Sequence, residues 1–131
     1  MDQCVFCQIV EGQPLNYPVY EDAEFLAFMD IRPINPGHVV IIPKQHYEYV
    51  FELPHEAYRK LFELARKIAG PLRKVTGAKR VGLAVEGFGV NHAHVHLVPV
   101  NGGGELDPHR AKLANLNDLK AQAAKIKQAI G

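Results

Sequence analysis

Three histidines alternate with apolar residues in Asn91-His92-Ala93-His94-Val95-His96-Leu97-Val98-Pro99. A period of two is the repeat of an extended strand, with the imidazoles on one face and Ala93, Val95 and Leu97 turned the other way toward a core. Histidine is a poor cover for a merely wet strand face, because its charge changes near neutral pH and stacked cations repel. The row therefore points to chemistry of one of two kinds. Side chains two apart on a strand can converge on a catalytic metal ion. Alternatively, one neutral imidazole is a nucleophile whose neighbours orient it and bind the anion it attacks, which needs no metal. A nucleotide phosphate ester or amide suits the second kind, since a histidyl phosphate is labile to water and divides one hard displacement into two easier ones.

The rest of the chain bounds the partner. A chain of 131 residues buries roughly two-thirds of its unfolded surface. One compact domain over residues 1–131 can therefore form without disulfides or metal, and a metal here asks for its own explanation. Fifteen Lys and Arg stand against 14 Asp and Glu, so no single-sign field gathers nucleic acid or an anionic membrane, and a small ligand is expected. No apolar run approaches the ~20 residues of a membrane span, and Met1-Asp2-Gln3-Cys4 carries no basic leader. A cytoplasmic setting follows as an expectation. There a disulfide is disfavoured, which turns Cys4-x-x-Cys7 toward metal binding, redox chemistry or idle thiols.

Around the histidine row the pattern reads as α+β. Val5-Phe6, Pro18 to Glu21 and Phe25 to Met29 are β-prone, broken by Gly12-Gln13-Pro14 and by a turn at Asp22-Ala23. Arg32-Pro33-Ile34-Asn35-Pro36-Gly37 is a loop ending at His38. Val39-Val40-Ile41-Ile42, closed by Pro43, suits a central strand buried on both faces. From Glu56 to Thr76, Tyr58, Leu61, Phe62, Ala65, Ile68, Ala69 and Leu72 form one helical stripe, with Gly70-Pro71 as an interruption and Thr76-Gly77 as the stop. Strands at 80–85 and 92–100 form an antiparallel pair across Glu86-Gly87-Phe88-Gly89. A C-terminal helix occupies about 111–130. No glycine-rich nucleotide loop of the dinucleotide or P-loop kind is present.

His92-Ala93-His94-Val95-His96-Leu97-Val98 resembles the signature of the histidine triad (HIT) family of nucleotide hydrolases and transferases. The likeness extends through Cys4-Val5-Phe6-Cys7-Gln8-Ile9-Val10, Ala27-Phe28-Met29-Asp30-Ile31 and Gly37-His38-Val39-Val40-Ile41-Ile42-Pro43-Lys44-Gln45-His46. It covers roughly residues 4–100, in the family's order. The resemblance implies a HIT-like antiparallel sheet of about five strands with one long helix and a C-terminal helix, assembled as a homodimer. It implies that His94 attacks the α-phosphate of a purine nucleotide conjugate, with His96 and His38 as its phosphate-side partners. Asp30 would accept from the ribose hydroxyls, as a carboxylate can.

By the same resemblance Phe6, Ile9, Phe28 and Ile31 wall the base, although Phe6 and Ile9 read equally well as plain core. In the zinc-bearing branch of the family the two cysteines join two histidines, here His46 and His92, around a structural zinc that leaves His94 free. The chain departs from the family in Val85-Glu86-Gly87-Phe88-Gly89-Val90-Asn91, which is shorter than the usual phosphate loop and lacks its polar residues. Asn91 is either a compensating donor to substrate or a turn residue. Lys44 and Arg32 are phosphate neutralisers or surface charges, and His55 and His109 have no assigned role. The expected activity is hydrolysis or transfer at the α-phosphate of a dinucleoside polyphosphate or nucleoside phosphoramidate. The rivals are a nucleotide-binding protein with a structural zinc and little catalysis, and a metal hydrolase built on His92, His94 and His96.

Overall fold

The computed structural model describes residues 4–12 and 16–131. Five strands, β1 (Pro18–Glu21), β2 (Phe25–Met29), β3 (Val39–Pro43), β4 (Arg80–Ala84) and β5 (Val95–Val100), form one antiparallel sheet in the order β1-β2-β3-β5-β4. The turn between β1 and β2 forms where expected, because the Asp22 carboxylate accepts from the backbone N–H groups of Glu24 (2.8 Å) and Phe25 (2.7 Å). β3 is buried along its whole length. Its alternate residues serve two cores, Val39 and Ile41 on one face of the sheet and Val40 and Ile42 on the other.

The larger core lies under α2 (His55–Thr76) and α3 (Leu116–Ile130). Leu61, Leu64, Ala65, Ile68 and Leu72 of α2 meet Ala93, Val95 and Leu97 there, together with Leu119, Ala123 and Ile126 of α3. The smaller core joins Leu26, Phe28, Val40 and Ile42 to Ile9 and Phe6 of α1 (Val5–Val10). α2 closes at Gly77, whose φ of 71° is left-handed and whose N–H donates to the Arg73 carbonyl.

Three expectations are corrected. Val5-Phe6 is helical rather than β-prone: a helical turn brings residues i and i+3 to one side, and the Cys7 N–H meets the Cys4 sulfur at 3.4 Å. The long helix runs through the Gly70-Pro71 interruption to its expected stop, because its buried side chains continue through Leu72 and outweigh the one missing amide donor. β5 begins at Val95 rather than His92, because the ladder partners end at Ile41 on one side and Ala84 on the other. The C-terminal helix begins at Leu116, capped by Asn115, rather than near 111. Residues 111–114 are held extended instead, the N–H of Lys112 reaching Pro33 O and that of Ala114 reaching Ile31 O. The turn expected at Gly12-Gln13-Pro14 falls largely outside the described residues. Among the described residues, no helix is long and apolar enough to cross a membrane.

Candidate active site and metal cluster

Two groups of ligand-type side chains converge on the α1 side of the sheet. In the first, Cys4 Sγ, Cys7 Sγ, His46 Nδ1 and His92 Nδ1 lie within 4.8 Å of one another. His46 Nδ1 is 3.2 Å from Cys7 Sγ, and His92 Nδ1 is 3.4 and 3.5 Å from the two sulfurs. The second group is Asp30, His38 and His96, with ligand atoms equally close.

The far side of each ring separates the two groups. His92 Nε2 lies 2.8 Å from the Pro43 carbonyl, so it carries the proton and Nδ1 presents a lone pair to the sulfurs. This is how a metal-bound imidazole is held from behind. Two sulfurs and two nitrogens so placed match a closed tetrahedral zinc set. Without a cation, burial and then the hydrogen bond to Cys4 push the Cys7 thiol up to about 11.

His38 is turned the opposite way. Its Nδ1 accepts the Ile34 N–H at 3.0 Å, so a neutral His38 carries its proton on Nε2. That nitrogen faces His96 Nδ1 at 2.9 Å and Asp30 Oδ2 at 3.5 Å. To ligate a metal, His38 would have to lose that proton while still accepting from Ile34. The second group is therefore a chain of hydrogen bonds. Because His96 accepts at Nδ1, its own proton sits on Nε2. Burial pulls His38 down to about 4 against the raising effect of Asp30, and it lowers His96 as well. Both rings are neutral at pH 7.

His94 stands between the groups. Its Nδ1 lies 2.7 Å from the His92 carbonyl, and a carbonyl can only accept. The proton is thus on Nδ1 and the Nε2 lone pair is left unengaged, with no hydrogen bond to it among the described residues. The ring is fixed edge-on to Phe6 (centroids 5.3 Å, 84°) and to His96 (5.0 Å, 87°). His94 is 5% exposed. A metal hydrolase built on His92, His94 and His96 together does not fit this arrangement, because the three rings serve three different sets of partners.

His94 lines a cavity of about 500 Å³ walled by Phe6, Ile9, Phe28 and Ile31, with Asp30, Arg32 and His96 at its polar side. A second cavity of about 380 Å³ borders it, sharing Asp30, Arg32, Phe88, Gly89, His96 and Ala111. The second adds Ile34, His38, Ala84, Glu86, Leu106 and Pro108 and is not lined by His94. The structure thus brings together every expected site residue except Asn91, which is exposed and lines neither cavity. Lys44 pairs with Glu21 at 2.6 Å, away from the cavities, whereas Arg32 lines both. His55 and His109 are exposed.

The sequence did not point to Asn16, Phe88, Leu106, Pro108 or Ala111 as cavity residues. Gly87 and Gly89, both at φ 87°, were the signal for Phe88: paired left-handed glycines hold a tip residue outward, and Phe88 is 80% exposed. The segment from 105 onward carried no such signal.

The domain model described as the HIT domain matches residues 15–103. An uncharacterized HIT-like protein of Methanocaldococcus jannaschii is 38% identical over 114 residues, covering 79% of this chain and 84% of that one. An adenosine 5'-monophosphoramidase of Schizosaccharomyces pombe is 34% identical over 99 residues, covering 73% of each. A solved structure described as a Zn-bound histidine triad family protein, from Mycobacterium smegmatis, is similar with a TM-score of 0.80 and 29% identity over 98% of this chain and 94% of that one. In sequence and in architecture, the chain belongs to the HIT family.

Proposed function

We propose that the protein cleaves a purine nucleotide conjugate at its α-phosphorus through a nucleotidyl-His94 intermediate, acting as a hydrolase or nucleotidyl transferase. The observation that carries this is the His94 ring, its Nδ1 proton committed to the His92 carbonyl at 2.7 Å and its Nε2 lone pair beside a cavity of nucleoside size. Nε2 attacks phosphorus, the bond to the leaving group breaks, and the leaving atom takes a proton from solvent. Water then attacks the histidyl phosphorus, the P–Nε2 bond breaks with its electron pair returning to His94, and the water's hydroxyl stays on the nucleotide while its proton goes to solvent. His96 Nε2–H donates to the phosphoryl oxygens as their charge grows, and His38 holds His96 in that tautomer.

Asp30 is the acceptor for the ribose hydroxyls. Phe6, Ile9, Phe28 and Ile31 take the faces of the base. The leaving group goes to the second cavity, which lies beyond His96 and is not lined by His94, as in-line displacement requires. Its walls are apolar apart from the histidines, Asp30, Glu86 and one cation, Arg32. A polyphosphate would face two carboxylates there, whereas an amine on an apolar stem meets complementary charge. A nucleoside phosphoramidate therefore fits better than a dinucleoside polyphosphate, and the monophosphoramidase relative is consistent with that choice.

We assign zinc to Cys4, Cys7, His46 and His92, supported by the donor set and by the Zn-bound relative. When bound, the ion cross-links α1 to the sheet and supplies no chemistry to the reaction. The family's homodimer and a cytoplasmic setting belong to the same reading. A panel of adenosine and guanosine phosphoramidates and polyphosphates, assayed for release of the nucleoside monophosphate, tests it. Release from phosphoramidates first is expected. Tight nucleotide binding without turnover of any of them would instead favour a binding protein.

A further inference from the structure

We propose that Asn16 reads the nucleobase, accepting a hydrogen bond from the amino group on C6 of adenine. This inference rests on the nucleotide reading above and adds a base preference to it. Among the described residues, Asn16 Oδ1 is the one side-chain polar atom shielded from solvent that has no hydrogen-bond partner, and Asn16 lines the cavity that holds Phe6, Ile9, Phe28 and His94. A buried acceptor left unpaired is costly, and folded proteins rarely tolerate one unless something outside the chain completes it.

The order of polar groups across the sheet says which part of a nucleotide that would be. His96 on β5 and His38 before β3 stand at one end. Asp30 follows, with its Oδ1 accepting from the Arg32 N–H and its Oδ2 facing His38. The Met29 N–H donates to the Tyr17 carbonyl at 2.9 Å, which carries Asn16 alongside Asp30 on the side away from the histidines. Phosphate at His94 and His96, then ribose at Asp30, leaves the base for the Asn16 end. The apolar walls there satisfy the faces of a purine but offer nothing to its polar edge. A side-chain amide oxygen matches the exocyclic amine of adenine, the same pairing by which asparagine reads adenine elsewhere.

The test compares binding of AMP with that of purine riboside 5'-monophosphate, which lacks only the amino group, using calorimetry on the intact protein and on Asn16→Ala and Asn16→Asp. Wild type is expected to prefer AMP by about tenfold, the worth of one hydrogen bond to an otherwise unpaired buried acceptor. Asn16→Ala should bind the two alike, and Asn16→Asp, which keeps an acceptor oxygen, should retain the preference. Asn16→Ala should also unfold at a temperature no lower than wild type, because it removes an unpaired group, whereas an asparagine with a merely structural role would be missed. Equal binding of the two nucleotides by wild type, or an undiminished preference in Asn16→Ala, overturns the inference and leaves the nucleotide reading standing. Failure of wild type to bind either nucleotide overturns both.

Discussion

His92 holds His94 by its backbone while its own ring faces the sulfurs of Cys4 and Cys7. The His94 Nδ1 lies 2.7 Å from the His92 carbonyl, and the His92 Nδ1 lies 3.4 Å from Cys4 Sγ. One residue thus joins the cysteine cluster to the ring with the free lone pair. The cluster can fix the position of His94 without touching the phosphorus.

That linkage separates a structural ion from a catalytic one. The protein as purified should contain one zinc per chain by elemental analysis. Removing it with a chelator, or substituting Cys7→Ser, should lower the unfolding temperature markedly, since metal binding free energy in such sites is folding free energy. Turnover of the remaining folded protein should fall by no more than about tenfold, roughly 1.4 kcal/mol in the barrier. Abolition of turnover with the fold intact would show that the ion takes part in the chemistry.

The buried His38 gives a pH signature. Its pKa falls from 6.5 to about 4 in the folded protein, mainly through burial. The unfolded chain therefore binds the proton more tightly, and stability is full above about pH 6.5 and declines as pH falls toward 4. A drop of this size is worth about 3 kcal/mol. Unfolding midpoints measured from pH 7.5 to 4 should fall more steeply for wild type than for His38→Gln. Parallel curves would refute the buried neutral His38.

Glu86 should govern the leaving group. Glu86→Lys places a cation in the second cavity, so kcat/KM should drop for an alkylamine phosphoramidate and rise for a dinucleoside polyphosphate. A shift in selectivity of about tenfold corresponds to one partly screened charge contact. Equal effects on both substrates would move the leaving group out of this cavity.

Phe28 stands with its ring 5.6 Å from that of Phe6 and is 5% exposed. Phe28→Ala should cost about 3–5 kcal/mol of stability, whereas Phe28→Leu keeps most of the volume. In Phe28→Leu, KM for the nucleotide should rise several-fold with kcat nearly unchanged, as expected when a contact holds substrate and transition state equally. A fall in kcat at constant KM would place Phe28 near the reacting atoms instead.

Much of this site is legible in the sequence because its signals are periodic. The alternation His92, His94, His96 puts His94 and His96 on the α1 side and Ala93, Val95 and Leu97 in the larger core, even though the ladder begins only at Val95. Val39 to Ile42 reads as a doubly buried strand and is one. The misreadings come from tertiary effects that override local preference. Val5-Phe6 is β-prone in isolation, but sulfur convergence and the apolar contacts of Phe6 and Ile9 make it helical. Pro71, read as an interruption, is one that the buried stripe on either side carries α2 through to the expected stop. Asn91, read as either a donor to substrate or a turn residue, is exposed and lines neither cavity. The cavity walls contributed by Leu106, Pro108 and Ala111 come from a stretch whose shape is set by backbone bonds of its neighbours to Pro33 and Ile31, which no pattern within the stretch announces.

The most direct measurement is mass spectrometry of protein quenched during turnover of an adenosine phosphoramidate. Wild type should carry one adenylyl group on the peptide containing His94, released by water on standing, and His94→Asn, folded and with the same metal content as wild type, should carry none and release no monophosphate. Unchanged turnover in His94→Asn, or an adduct on another residue, would contradict the account.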